Sequence, residues 1–304
     1  MHTEILGLWP ALLTPVAPDS TLDSARLLAH AQRMLAAGSD GITLFGTTGE
    51  GPAFTVAERQ AELEKLLAAG IRADQIICTI TATALGDAVA LGRHAIQLGV
   101  TRQMLMPPFY YNQPRDSGVV QAYTQVIDGI GSDALRLLLY HFPTMSTYGF
   151  SHAAIAELLQ LHPQQVVGIK DSSGDLAHAL ALAKAFPNFC VLVGAEPHVA
   201  PVMLAGGSGS VNGLANIAPR LMRRVIDAPD AVDARDVQCM TSLLALMAVR
   251  PNLPFLGVYK TMLAEQTGDD FWLTMRAPLC RLNEDEEQAI RLGYRALGDL
   301  LQLI

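Results

Sequence analysis

Lysine is scarce in this 304-residue sequence, which contains only Lys65, Lys170, Lys184 and Lys260. Lys and Arg together number 21 against 29 Asp and Glu, so the formal net charge is −8. The chain has no dense run of basic residues, and the negative balance argues against a nucleic-acid or anionic-membrane partner. With so few lysines, the position of each one is informative.

Cysteine is also scarce: the chain has four, widely spaced and without a CxxC pair. Cys78 and Cys190 fall within strand-like segments, so we expect buried free thiols in a reducing cytoplasm rather than disulfides. The eight histidines show no HxH or HExxH spacing, and no Cys or Asp cluster accompanies them. We therefore predict no metal site.

A membrane-spanning run is missing as well. The apolar stretch 5–16 is too short to cross a bilayer and contains Pro10 and Pro15. It also lacks the basic lead-in of a secretion signal, so we interpret it as a first strand of a cytoplasmic protein.

Apolar residues make up half of the sequence, and strand-like and helix-like segments alternate along it. Mostly apolar strands separated by helices indicate a parallel sheet covered by helices. Eight such units predict an α/β fold of the closed (β/α)8 TIM-barrel type over residues 1–229, followed by a C-terminal helical extension, 230–304, packed on the barrel. The predicted strands are 6–14, 41–45, 75–81, 102–107, 135–140, 166–170, 190–194 and 209–212.

Lys170 ends the apolar strand 166–170, whereas the other three lysines fall on helix-like stretches where lysine normally covers a solvated face. Desolvation at a strand end favours the neutral amine, which is a nucleophile toward carbonyls. The alternative is an ammonium paired with its neighbour Asp171.

Active sites of such barrels lie at the carboxyl ends of the strands, where several reactive side chains of this sequence fall. Tyr140 and Lys170 end consecutive strands, so the phenol should lie beside the amine as a proton carrier. The turn 46–49 offers hydroxyls and backbone N–H groups that suit a carboxylate, or else its threonines bond their own backbone. Tyr110 and Tyr111 follow the fourth strand and are either site residues or surface aromatics.

Four segments together resemble one family. They are Gly-Thr-Thr-Gly-Glu at 46–50, Pro-Phe-Tyr-Tyr at 108–111, Tyr-His-Phe-Pro at 140–143 and Gly-Ile-Lys at 168–170. Over its whole length, the chain is similar to the dihydrodipicolinate synthase/N-acetylneuraminate lyase family of pyruvate-dependent class I aldolases.

The resemblance implies a covalent Schiff base between Lys170 and the keto carbon of pyruvate or another 2-oxo acid, with no separate cofactor. Tyr140 would move protons, and Thr47 and Thr48 would hold the carboxylate and relay protons, with Thr48 as the catalytic candidate of the two and Gly46 as a further binding residue.

Three further residues are assigned by the same resemblance. Val211 would line the pyruvate pocket. Tyr110 or Tyr111 would reach a neighbouring subunit's site, with Tyr111 as the catalytic candidate and Tyr110 as a binding residue. The resemblance therefore implies a homo-oligomer, a dimer or a homotetramer.

Departures from the family pattern bear on the substrate. Met145 stands where dihydrodipicolinate synthases carry an arginine for a second carboxylate, and Glu196 matches only one of two acids that neuraminate lyases use. His141 replaces an asparagine, and we expect it to make a supporting hydrogen bond.

The segment 140–146, with an apolar residue at position 145, resembles that of the 2-keto-3-deoxy sugar acid aldolases. The resemblance thus implies an aldolase that cleaves or forms a 2-keto-3-deoxy sugar acid or a similar 4-hydroxy-2-oxo acid, with an aldehyde as the second reactant. The alternatives are a 4-hydroxy-tetrahydrodipicolinate synthase, a Schiff-base dehydratase and a non-catalytic 2-oxo acid sensor.

Overall fold

A closed ring of eight parallel strands forms the centre of the computed structural model, which describes residues 5–249 and 255–304. Hydrogen-bonded neighbours run in the order β1-β8-β7-β6-β5-β4-β3-β2, and a parallel bridge between Ala11 and Thr43 joins the two ends. The strands are β1 Gly7–Leu8, β2 Ile42–Leu44, β3 Ile76–Thr79, β4 Arg102–Leu105, β5 Arg136–His141, β6 Val166–Asp171, β7 Cys190–Val193 and β8 Gly209–Ser210. The predicted (β/α)8 barrel is confirmed.

Helices cover the outside of the barrel and continue past its last strand. They are α1 Ser24–Ala36, α2 Val56–Ala68, α3 Leu85–Gln97, α4 Asp116–Ile130, α5 Pro143–Ser146, α6 His152–Leu161, α7 Leu176–Ala185, α8 Val199–Leu204, α9 Pro219–Asp227, α10 Ala234–Ala245, α11 Phe255–Thr267 and α12 Glu284–Arg295. The C-terminal helices are present as expected, while the exact boundary after residue 229 stays a prediction. No helix in the described ranges is long and apolar enough to cross a bilayer.

Local sequence signals explain several helix ends. Helix α2 begins with a capping box, in which the Thr55 side chain accepts from the Glu58 backbone and the Glu58 side chain accepts from the Thr55 backbone. Helix α12 ends at Arg295, and a 3-10 segment, Gly298–Leu303, follows it. Gly298 has φ +52°, a left-handed conformation that ends a helix.

The first strand is much shorter than the predicted 6–14. Beyond β1 the backbone still bonds to its neighbours, since Ala11 N–H donates to Asn212 O at 2.9 Å and Leu12 N–H to Thr43 O at 3.0 Å. Pro10 has no N–H to donate, so regular pairing is interrupted there. The segment therefore closes the barrel without forming a long strand.

Alternation along β5 separates the barrel interior from the outer layer. Leu138 and Tyr140 belong to the inner apolar cluster, whereas Leu137 and Leu139 belong to the cluster between barrel and helices. Because successive side chains of a strand point to opposite faces, His141 lies on the outer side, directly behind Tyr140.

Lys260 on α11 is fully buried, so the expectation that it covers a solvated face is wrong. Its ammonium forms an ion pair with the buried carboxylate of Glu50 and donates to Thr274 O at 2.7 Å. The second oxygen of Glu50 accepts from Arg276 N–H at 2.8 Å. Glu50 thus joins the loop after β2 to two segments of the C-terminal extension.

Two buried histidines are held in their neutral form. Burial lowers the pKa of His30, which contacts Asn216, to about 3, and that of His141 to about 4. His141 Nδ1 accepts a hydrogen bond from Phe150 N–H at 3.1 Å, an interaction that requires an unprotonated nitrogen.

We expect Lys260→Met to destabilise the protein by about 3–5 kcal/mol, because it leaves the Glu50 carboxylate buried without a counter-ion. Adding Glu50→Gln should restore more than half of that loss, since the uncompensated charge is then gone. Calorimetric unfolding of the two single variants and the double variant measures both effects. A Lys260→Met protein as stable as the wild type would contradict the role given to this ion pair.

We expect acid to destabilise the protein partly through His141. Its folded-state pKa lies below the unfolded value of about 6.5, so its contribution is present above pH ~6.5 and is lost as pH falls toward about 4. Between pH 7 and about pH 5 the loss should be roughly 2 kcal/mol. His141→Asn keeps an acceptor for Phe150 and should remove this part of the pH dependence.

The exposed His152 provides the matched control for that experiment. Melting temperatures at the two pH values should change in His152→Asn as they do in the wild type. An unchanged pH dependence in His141→Asn would show that this histidine does not titrate differently on folding.

Candidate active site

Lys170 and Tyr140 lie side by side at the carboxyl ends of β6 and β5. They are partners in the strand register, and both are buried, at 4% and 2% exposed. Lys170 Nζ lies 4.4 Å from the centroid of the Tyr140 ring. Gly168 permits close packing of β6 on both of its neighbours, because a Cβ there would lie 2.5 Å from Cys190 O on β7 and 2.8 Å from Leu138 Cδ2 on β5. The predicted juxtaposition of amine and phenol is present in the structure.

The turn after β2 brings the two threonines to the same place. Its backbone is compact: Gly51 N–H donates to Gly46 O at 3.0 Å, and a Cβ at Gly49 would lie 2.8 Å from Leu12 O. Thr47 Oγ1 lies 3.1 Å from Tyr140 Oη, within hydrogen-bond distance. The Thr47 hydroxyl is therefore directed toward Tyr140.

One cavity of about 580 Å³ connects these groups. This volume falls within the range of about 300–1,000 Å³ that is usual for small-molecule sites. Five of the predicted site residues line it, namely Thr47, Thr48, Tyr140, Lys170 and Val211.

The remaining predicted site residues do not line this cavity. Gly46 borders a smaller neighbouring cavity of about 280 Å³, which shares Thr47, Tyr140 and Met145 with the larger one. Tyr110 and Tyr111 are 71% and 78% exposed in the single chain. Their rings contact each other at right angles, with centroids 5.4 Å apart.

A buried acid–phenol pair on the cavity wall connects the barrel with the extension. Glu196 Oε1 accepts from Leu214 N–H at 3.1 Å and from the hydroxyl of Tyr259 at 3.2 Å. Burial raises the pKa of Glu196, and the hydrogen bonds that its carboxylate accepts oppose this rise. Only the comparison with the family identified Glu196 from the sequence. Its position after β7, at the end of the barrel where active sites lie, also indicates a site residue. Tyr259 had no such signal, because it lies within a C-terminal helix.

The alternative interpretation of Lys170 required an ion pair with Asp171, and Asp171 does not form that pair. Its carboxylate instead lies 2.8 Å from His178 Nδ1 and accepts from Ser173 N–H at 2.8 Å. Burial disfavours the carboxylate, but these hydrogen bonds outweigh it and lower the pKa of Asp171. The hydrogen bond to Asp171 raises the pKa of His178.

His141, Asp171 and His178 form a cluster behind the site that the sequence spacing did not indicate. One potential ligand atom from each lies within 4.8 Å of the others, and the two imidazole rings are stacked with centroids 4.3 Å apart. Two histidines and a carboxylate are chemically suitable metal ligands. The hydrogen bonds to His178, Ser173 and Phe150 already account for the positions of all three side chains.

Known proteins resemble this chain over nearly its whole length. The model of the dihydrodipicolinate synthetase family matches residues 4–294. An "uncharacterized DapA-like lyase" of Chloroflexus aurantiacus is 33% identical over 297 residues, covering 97% of both chains. A 4-hydroxy-tetrahydrodipicolinate synthase of Acidiphilium cryptum is 32% identical over 302 residues, covering 95% of this chain and 97% of the relative.

A solved structure agrees with the sequence comparisons. The crystal structure of dihydrodipicolinate synthase from Agrobacterium tumefaciens superposes with a TM-score of 0.89 at 32% identity, covering 96% of this chain and 99% of that one. Sequence relatives and fold thus agree over both the barrel and the C-terminal helices. The chain belongs to the dihydrodipicolinate synthetase family and is an enzyme of its class I aldolase and lyase type.

Proposed function

We propose that this enzyme forms a Schiff base between Lys170 and pyruvate and cleaves or forms a 4-hydroxy-2-oxo acid. The observation that carries the proposal is the placement of Lys170, Tyr140 and Thr47 in one cavity. Lys170 Nζ lies against the Tyr140 ring, and Tyr140 Oη lies 3.1 Å from Thr47 Oγ1. A buried amine beside a hydrogen-bonded pair of hydroxyls suits imine chemistry, which needs a nucleophile and a path for protons.

In the cleavage direction, uncharged Lys170 attacks the keto carbon, and the resulting carbinolamine loses water to give a protonated imine. The C3–C4 bond then breaks, its electrons move toward the imine nitrogen, and the C4 hydroxyl loses its proton as the aldehyde forms. The enamine that remains takes up a proton at C3. Water then hydrolyses the imine, releasing pyruvate and restoring the amine.

Tyr140 and Thr47 form the proton path of this scheme, because their hydroxyls are within hydrogen-bond distance of each other. The turn carrying Thr47 and Thr48 offers hydroxyl and backbone donors for the substrate carboxylate. Val211 is fully buried and lines the same cavity, so it would contact the pyruvate part. No step of this scheme needs a metal or a separate cofactor.

A neighbouring subunit would complete the proton path in a homo-oligomer, a dimer or a tetramer. Tyr110 and Tyr111 are large, exposed aromatic side chains, and the adjacent Phe109 lines the smaller cavity next to Thr47 and Tyr140. A tyrosine delivered from a second copy at this edge would meet the hydroxyl pair. The cytoplasmic location stays a prediction.

A 4-hydroxy-tetrahydrodipicolinate synthase is the second candidate, and the name of the Acidiphilium cryptum relative favours it. The cavity wall disfavours this synthase activity, because Met145 lines the cavity at the position where the family resemblance implies an arginine for a second carboxylate. Products separate the possibilities: the aldolase releases pyruvate from a 4-hydroxy-2-oxo acid, whereas a dehydratase releases water and keeps the carbon chain intact.

Borohydride reduction in the presence of pyruvate should attach a reduced pyruvyl group to Lys170, because hydride traps the imine as a stable amine. Peptide mass spectrometry of the treated protein locates the modification. Lys170→Ala should abolish it, whereas Lys184→Ala, which removes an exposed lysine, should leave it unchanged. A folded wild-type protein without an adduct on Lys170 would contradict the Schiff-base mechanism.

Tyr140→Phe should lower kcat by about 100-fold or more, because it removes the hydroxyl next to Thr47 while keeping the ring beside Lys170. Imine formation, followed by stopped-flow trapping, should slow by a similar factor. Tyr294→Phe removes the hydroxyl of another buried tyrosine outside the cavity and should leave both rates near wild type. Full activity of Tyr140→Phe would exclude this hydroxyl as the proton carrier.

A further inference from the structure

We propose that the aldehyde partner of this enzyme is uncharged and largely apolar, such as a medium-length aliphatic or aromatic aldehyde. This inference rests on the proposed Schiff base at Lys170 and concerns the other reactant in the same cavity. The observations behind it are the apolar wall opposite the lysine, the charges around that wall and the hydrogen bonds already made by its polar groups.

The cavity has two chemically different parts. Lys170, Tyr140 and the threonine turn form one part and would hold pyruvate, the smaller reactant. In the part of the chain that the structure describes, five apolar side chains bound the other part, two from the segment after β5 and three from the C-terminal extension: Phe142, Met145, Leu244, Met247 and Phe255.

These five side chains have apolar surface available for a ligand. Each is only half-buried in the structure, unlike the core residues of the barrel. A substrate group that covers such surface gains about 25 cal/mol per Å² removed from water. An apolar aldehyde would therefore bind here more favourably than a hydrated polyol.

The charges of the wall disfavour an anionic aldehyde. Within 5–249 and 255–304, Lys170 is the one cationic side chain on the cavity surface, and its nitrogen is consumed by the imine. The acidic side chain on the wall is Glu196. Among the described wall residues, a second substrate carboxylate would thus find no cation to compensate for its lost hydration, which is unfavourable.

Several polar groups of the wall already have protein partners. Asn212 donates to Ser210 Oγ at 2.7 Å and accepts from Ala215 N–H at 2.8 Å. Tyr259 donates to Glu196, and Ser173 Oγ accepts from Asp175 N–H at 3.1 Å. Thr144 and Ser172 add two hydroxyls to this wall, so a sugar aldehyde with a longer chain of hydroxyls would place most of them against the apolar side chains.

The test is a comparison of aldol additions to pyruvate with four aldehydes: hexanal, benzaldehyde, D-glyceraldehyde and succinic semialdehyde. We expect kcat/KM for hexanal and benzaldehyde to exceed that for the hydroxylated and the anionic aldehyde by about 10-fold or more, the size of discrimination that a few methylenes in an apolar pocket provide. Borohydride trapping of pyruvate on Lys170 is measured on the same preparations.

Matched leucine variants connect the preference to the wall. Leu244→Asn places an amide in the apolar part and should lower kcat/KM for hexanal by about 10-fold. Its pyruvate trapping should be unchanged, since Leu244 is not among the groups that hold pyruvate. Leu292→Asn changes an exposed leucine of α12 outside the cavity and should match the wild type in both assays.

A second variant provides a gain of function. Met145→Arg adds a cation to the wall and should raise kcat/KM for succinic semialdehyde by about 10-fold while lowering it for hexanal. The Leu244→Asn and Met145→Arg changes together would show that charge and polarity of this wall select the aldehyde.

The outcomes separate this inference from the proposed function. A pyruvyl adduct together with equal or better use of D-glyceraldehyde or succinic semialdehyde overturns the inference and leaves the Schiff base standing. An adduct with no turnover of hexanal or benzaldehyde overturns it as well. Absence of the adduct overturns both, because without the imine there is no pyruvate nucleophile.

Discussion

The buried ion pair between Glu50 and Lys260 determines how the site is held together. Glu50 directly follows the turn with the two threonines, and its backbone is in a left-handed conformation with φ +56°. Its carboxylate binds the Lys260 ammonium and the Arg276 backbone N–H. Burying both charges is tolerable only because each satisfies the other. The position of the threonine turn therefore depends on the C-terminal extension.

The extension also contributes directly to the cavity. Tyr259 lies next to Lys260 on α11 and donates a hydrogen bond to Glu196 at the end of β7. Leu244 and Met247 supply apolar surface from the preceding helical segment. Adjacent residues of one helix thus have two roles. Lys260 holds the threonine turn through its ion pair with Glu50, and Tyr259 holds the Glu196 carboxylate through a hydrogen bond.

The two reactive residues have neighbours that perform a supporting task in the outer layer. Tyr140 and Lys170 face the cavity, whereas Asp171 is hydrogen-bonded to His178 on α7 and the ring of His141 stacks on that of His178. Alternation of side chains along a strand produces this division. Lys170 and Lys260 show a related contrast: Lys260 has a carboxylate partner, while Lys170 Nζ lies against an aromatic ring and lines the cavity.

The sequence by itself determined the barrel, the approximate extent of most strands and helices, and the pairing of Tyr140 with Lys170. Those features follow from the local periodicity of apolar residues and from the order of the strands, both of which can be derived from the linear sequence. Only the tertiary structure decided that Lys260 is buried, that Asp171 turns to His178 and that Tyr259 reaches Glu196. Each of these three features depends on contacts between residues far apart in the chain or on the face that a side chain occupies. Helical periodicity does not distinguish a solvated lysine from one that forms an ion pair with a distant carboxylate.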